Sequence, residues 1–366
     1  MIISGNLSES ILYFKMKGKR IIGVCLLLSC WMALQAGSTS DSSSILRNGW
    51  FTFAPYGKSL LSDAHPNFVR FEMVWNTNHE IFDFAHTGKP FRPSTQGCFG
   101  MDLPVWNGSF GADKQFGLSI TLSASAYLWM DLFESQTSPV LNTDYRIGMP
   151  THTFIHRLNR KFLKNYSIAW SPFKHESTHV GDEIQIQRVE AGYAIRRVNV
   201  SYNYTEFVFT LNEPEDRRVQ CHTFRAGLMI LWSPKEGWYS IKESAGDGDA
   251  SLAHSRVSPV EVYFQYQYQT PTSRHGFQGI VSAEIRNRVV YGYDLTAKEG
   301  DADKSPSDHR RFTYNIFIGA RYNIPGYDGY FSRFALGVRL YHGNCPFGHF
   351  RSIDNYSQVG ISFVFQ

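Results

Sequence analysis

The sequence predicts an all-β fold, an antiparallel transmembrane β-barrel of about 10 to 14 strands with a polar lumen. Three observations carry that prediction. Apolar and polar residues alternate with period two through segment after segment. Aromatics are 15% of the 366 residues and crowd the apolar rows. The N-terminus has the layout of a secretory leader.

The leader comes first. Lys17, Lys19 and Arg20 precede the apolar run Ile21 to Leu34, and Ala36-Gly37-Ser38 offers a cleavage site. Met16 makes a better start than Met1, because it opens a compact basic segment. A lipoprotein reading would use Leu27-Leu28-Ser29-Cys30, but the apolar residues after Cys30 suit it poorly. Residues 1–38 are thus read as an extension plus a cleaved signal, and 39–366 as the barrel domain. Removing the leader takes four basic residues and one acid, so the net charge falls from +4 to +1. Nothing in that balance points to nucleic acid. Cys98, Cys221 and Cys345 remain, an odd count without short spacing, so neither a disulfide framework nor a zinc site is expected. No cofactor is expected. The expected location is the bacterial outer membrane. The expected partners are the bilayer, lipopolysaccharide or phospholipid, and the outer-membrane assembly machinery.

The strands follow in order. After an entry segment with Trp50, Phe51 and Phe53, Val69, Phe71, Met73 and Trp75 oppose Arg70, Glu72 and Asn76. Even positions from Phe116 to Leu132 are apolar, while odd ones include Ser119, Thr121, Ser123 and Ser125. Tyr166, Ile168 and Trp170 form a row. Val198, Val200, Tyr202 and Tyr204 oppose Arg197, Asn199, Ser201 and Asn203. Phe224 to Trp232 and Val260 to Tyr268 carry even apolar rows. Further rows run through Phe277 to Ile285, Phe312 to Tyr322, Phe334 to Leu340 and Val359 to Phe365. A soluble sandwich also alternates. Here, however, the strands are long enough for a tilted crossing, the aromatics gather at strand ends as girdles do, and the polar faces hold Arg and Glu together. A dry sandwich core would not tolerate that mixture. Glu243 to Ser258 and Leu295 to Arg310 read as long exposed loops. Asp247 and Asp249 lack the full spacing of a calcium loop.

One stretch breaks the rhythm. His175-Glu176-Ser177-Thr178-His179-Val180-Gly181-Asp182-Glu183 packs two histidines, a serine and acids into nine residues. With Leu60 to Pro66, Asn142 to Gly148 and Gly343 to Gly348, it resembles blocks of an uncharacterised bacterial family, domain of unknown function 1207. The blocks span most of the mature chain in the family's order. Thr178 stands where that family often has Ser. The resemblance implies an exported β protein and no established activity. A looser similarity joins His175-x-Ser177 to outer-membrane phospholipase A and lipid A deacylase barrels, which carry His-x-Ser facing lipid and an Asn or Glu on the next strand.

Three readings of the stretch follow. Residues i and i+2 of a strand share a face, so His175 could take the proton of Ser177, with Glu190 as a third member orienting the ring. Parity opposes this. The row Tyr166, Ile168, Trp170 is even, so odd-numbered His175, Ser177 and His179 are expected in the lumen unless Pro172 marks a bulge. The second reading is therefore a polar lumen network in which His179, Asp182 and Glu183 meet arginines such as Arg146, Arg188, Arg197 and Arg225. The third is a metal site. His175 and His179 lie about 13 Å apart on a strand, so metal binding would need a loop, with Asp182 or Glu183 as a further ligand. The first expectation for function is a structural, adhesive or solute-passing barrel without catalysis. The alternative is a membrane lipid acyl hydrolase using the His-x-Ser pair.

Overall fold

A computed structural model of the chain describes residues 49–50, 59–64, 66–76, 93–111, 114–130, 140–158, 160–181, 196–213, 219–232, 239–243, 259–290, 309–324, 332–348 and 355–366. The leader lies outside these residues, as do Asp182, Glu183, Arg188 and Glu190 and most of the two long loops.

The described elements are all strands. They are β1 (Gly49–Trp50), β2 (Val69–Asn76), β3 (Pro93–Phe110), β4 (Phe116–Met130), β5 (Val140–Gly148), β6 (Thr151–Arg157), β7 (Asn165–Val180) and β8 (Arg196–Leu211). Then come β9 (Cys221–Leu231), β10 (Tyr239–Glu243), β11 (Val260–Gln269), β12 (Phe277–Val290), β13 (His309–Asn323), β14 (Arg333–Gly343) and β15 (Tyr356–Phe365). Arg310, expected at a loop end, already belongs to β13. β5 and β6 share one place between β4 and β7. β10 continues the line of β9 along β8. Setting aside the two-residue β1, the result is a closed antiparallel barrel of twelve strands. The last strand closes it on the first long one, with Phe365 opposite Val69 and Val359 opposite Trp75. Closure leaves no sheet edge, which is what a strand protein needs in lipid.

Facing follows the alternation along most of the wall. The rows led by Phe71, Phe224, Phe264, Phe312, Leu336 and Phe363 point outward, and their polar partners point in. One strand corrects the expectation. On β8, Tyr202 and Tyr204 are buried inside, while Ser201 and Asn203 face outward in line with Phe207 and Phe209. Tyrosine suits either side, because its ring is apolar and its hydroxyl can meet polar neighbours.

The interior is polar and dry. Glu72 takes an ion pair from Arg339 at 2.7 Å and another from Arg70 at 3.4 Å, and accepts a hydrogen bond from Ser362. Arg286 pairs with Glu284 at 3.3 Å and lies over the Tyr263 ring. Two segments fill the ends. Leu61 and Ser62 enter near the C-terminal end, donating backbone N–H groups to Gln267 and to Ser282 Oγ, and Leu61 packs with Phe68, Ile280, Phe317, Ala335 and Val364. At the other end Phe347 stacks on buried Trp129, with ring centroids 4.9 Å apart, and the Gly348 N–H donates to Asp144 at 3.0 Å. Inward groups such as Ser282, Asn315, Arg339 and Gln358 are at most 2% exposed, so water does not reach them. Charges this deep persist because each meets a partner.

Candidate functional site

The site arises from one extra residue. On β7, Ser171 pairs with Glu206 of β8, but Lys174 pairs with Tyr204. Three steps on β7 thus match two on β8, a β-bulge at Pro172–Phe173. Before it, Ser167, Ala169 and Ser171 are buried; after it, Lys174, Glu176 and Thr178 are. A one-residue slip moves every later side chain to the other face. The expectation that His175, Ser177 and His179 point into the lumen is therefore corrected, because the bulge turns all three outward.

The neighbouring strand carries a matching irregularity. β5 and β6 together bring one more residue past Ala124–Thr121 of β4 than β4 itself supplies, at Gly148–Pro150. The Met149 N–H donates to the Phe173 carbonyl at 2.9 Å, so the two irregularities sit side by side. Outside, the Thr205 hydroxyl donates to the Pro172 carbonyl at 2.8 Å and accepts from Trp232 Nε1 at 2.8 Å. Inside, Lys174 pairs with Glu206, which also accepts from the Tyr263 hydroxyl at 2.9 Å. The bulge is thus held from both faces.

Outward of it lies a polar patch on an otherwise apolar wall. His175 is cross-strand from Asn203, and Ser177 from Ser201. His175 Nδ1 lies 2.7 Å from Asn203 Oδ1. An amide oxygen only accepts, so that contact places a proton on Nδ1 and leaves Nε2 as the basic nitrogen. Ser177 shares the face of His175 two residues on, about 6.6 Å along the strand. No hydrogen bond joins the two among the described contacts; pairs of this kind often close only on a bound substrate. Trp232, exposed at the end of β9, places the patch near the interfacial layer, where tryptophan gathers.

The other expected residues are distributed as follows. His179 is exposed on the outer face, so it does not join the interior cluster, for the same reason of parity. Arg146 points inward and pairs with Glu176 at 2.9 Å. Arg225 points inward and donates from Nε to Thr210 at 3.1 Å. Arg197 lies on β8 opposite Lys242, and its side chain is outside the described residues. Glu190, the expected third member, is likewise outside them. The metal reading needed a loop, whereas residues 175–180 are strand. Sequence reasoning missed Asn203. Its signal was a polar row, Ser201 and Asn203, that continues into the aromatic row Phe207 and Phe209 at the same parity.

No family model matches the chain, and no curated protein does. Among solved structures it is similar to the Salmonella typhi outer membrane phospholipase dimer with bound calcium (11% identity, 88% of this chain and 95% of that one, TM-score 0.44). It is also similar to Escherichia coli outer membrane phospholipase A (12%, 86% and 99%, 0.44) and to the Pseudomonas putida toluene transporter TodX (7%, 89% and 97%, 0.37). Such likenesses speak for shape alone. The chain is a β-barrel of the outer-membrane type.

Proposed function

We propose that this barrel is a membrane lipid acyl hydrolase whose nucleophile is Ser177. The observation that carries the reading is the outward-turned His175, hydrogen-bonded to Asn203 and sharing its face with Ser177. A buried hydroxyl–imidazole pair would have no substrate. Facing outward beside Trp232, this pair would meet ester groups of the bilayer. His175 Nε2 takes the Ser177 proton as the hydroxyl attacks the ester carbonyl, then returns it to the leaving alcohol. Water hydrolyses the resulting acyl-serine by the same proton route. Asn203 holds the ring and its tautomer. The His-x-Ser resemblance to phospholipase and deacylase barrels agrees with this assignment, with Asn203 in the role first sought at Glu190. We also propose membership of the family of unknown function 1207, on the four sequence blocks.

A solute-passing role would need an open path, and the inward residues named above are buried. The test is release of fatty acid from phospholipid and from lipid A by the purified barrel, beside Ser177→Ala, His175→Ala and Asn203→Ala. Ser177→Ala and His175→Ala should fall to background. Asn203→Ala should lose about a hundredfold or more, as orienting groups of triads do. Equal release by wild type and Ser177→Ala would overturn the reading.

A further inference from the structure

Beside the polar patch the outer wall has a trough of about 630 Å³. Its floor is Ala124 and Ala126 of β4. On one side it runs over Phe99 and Met101 of β3 to Val69, Phe365 and Gln366; on the other it meets Tyr145 and Ile147 of β5, and Asp102 and Arg146 also line it. The cross-strand register ties it to the catalytic pair. One row runs Phe99, Ala126, Tyr145, Ser177, Ser201, and the next runs Met101, Ala124, Ile147, His175, Asn203. All of these side chains point outward. The trough floor on β4 lies two inter-strand steps from Ser177, or about 10 Å. The Tyr145–Ile147 wall stands between them.

That wall decides what the trough holds. The chain whose ester lies at Ser177 is on the far side of Tyr145, so the trough is open to a different chain. The surrounding medium is hydrocarbon, so the occupant is a lipid tail. We propose that the trough seats a second acyl chain of the lipid whose ester is at Ser177, and that the substrate is a lipid with two or more chains. The proposal rests on the hydrolase reading. Bilayer tails are as apolar as the trough, so it adds little affinity. What it supplies is orientation, fixing the headgroup and the scissile ester over Ser177. Misplacement of a reacting group by an ångström costs up to about a hundredfold.

The experiment uses the full barrel in mixed micelles, with diacyl phosphatidylethanolamine and its one-chain lysolipid as paired substrates. Ala124→Phe and Ala126→Phe fill the floor with apolar bulk on an outward face, and heat-modifiable gel mobility reports that each folds. The ratio of diacyl to lysolipid turnover should fall about tenfold or more in both, the scale set by lost orientation. In Ser177→Ala, a diacyl lipid with a photoreactive chain end should crosslink to Phe99, Met101 or Ile147, and Ala126→Phe added to it should remove that product. A small organophosphate that needs no acyl chain should label wild-type Ser177. If the wild type hydrolyses both lipids, the ratio is unmoved in both variants and crosslinks scatter round the barrel, the second-chain site is overturned and the hydrolase reading stands. If the wild type hydrolyses neither lipid and Ser177 stays unlabelled, the hydrolase reading is overturned, and the subsite with it.

Discussion

Lys174→Met tests what holds the site outward. Lys174 is the first inward residue after the bulge, and its ammonium reaches Glu206 at 2.5 Å. The pair crosses the register shift, since Glu206 is opposite Ser171 and Lys174 is opposite Tyr204. Removing one partner of a buried ion pair costs about 3–5 kcal/mol, because the other charge is left in a dry place. The Tyr263 hydroxyl still donates to Glu206, so the loss should sit near the lower end, about 3 kcal/mol. Glu206→Leu leaves Lys174 without its carboxylate and should lose a similar amount. The double variant, Lys174→Met with Glu206→Leu, replaces both charges by apolar groups and should recover most of the stability. Urea unfolding in vesicles, followed by tryptophan emission, gives the four free energies of the cycle. Parity has other supports, among them the Arg146–Glu176 pair, so organophosphate labelling of Ser177 should persist in every folded variant. A single variant within about 0.5 kcal/mol of wild type, or a double variant whose losses simply add, would refute the claim that this pair braces the bulge.

Other outcomes follow from the same geometry. Arg339→Met leaves Glu72 with Arg70 and Ser362 only, and should lower barrel stability by about 3 kcal/mol in urea titration; an unchanged midpoint would mean that Glu72 does not depend on Arg339. A Cβ at Gly227 would run into the Tyr263 ring. Gly227→Val should therefore displace that ring and cost about 1–3 kcal/mol, read in the same titration, whereas wild-type stability would show that the ring moves freely. Wild-type protein in planar bilayers should show no stable conductance step, because the inward groups between the Leu61 and Phe347 plugs are dry. A steady open level would contradict a packed lumen.

Most of the barrel was legible because lipid and lumen impose different chemistry on alternate residues. The outward rows of β2, β4 and β11 to β15 needed nothing more than that. Legibility failed at β7 and β8, for two reasons. A bulge leaves composition untouched and changes only the count, so the row Tyr166, Ile168, Trp170 could not be extended past Pro172. Pro172 hinted at the interruption without fixing its direction. On β8, Tyr202 and Tyr204 read as a lipid face, but their hydroxyl tips let them point inward, among Lys174, Glu176 and Glu206. Asn203 was misassigned along with them. The partner of His175 is 28 residues away in sequence, and register, more than spacing, brings it near.

The misread rows also explain why this patch demands a function. A lipid-facing wall gains nothing from His175, Ser177, His179, Ser201, Asn203 and Thr205, and an unpaired polar group in an apolar setting costs about 1–3 kcal/mol. Two of the six satisfy each other through the His175–Asn203 bond, and Thr205 is engaged by Pro172 and Trp232. Ser177 has no such partner among the described contacts, though it sits two residues from a ring whose second nitrogen is free to act as a base. A patch tolerated only because headgroups wet the rim would have no reason to fix that ring. It would leave Ser177 as inert as Ser201. The two serines face each other across one strand pair, Ser177 half-buried and Ser201 exposed, and only Ser177 has His175 on its own strand and face. Competitive labelling of the pair with a small organophosphate separates the explanations. Labelling of Ser177 alone, lost in His175→Ala and in Asn203→Ala, identifies an activated nucleophile. Equal labelling of both serines, or of neither, reduces the patch to rim polarity.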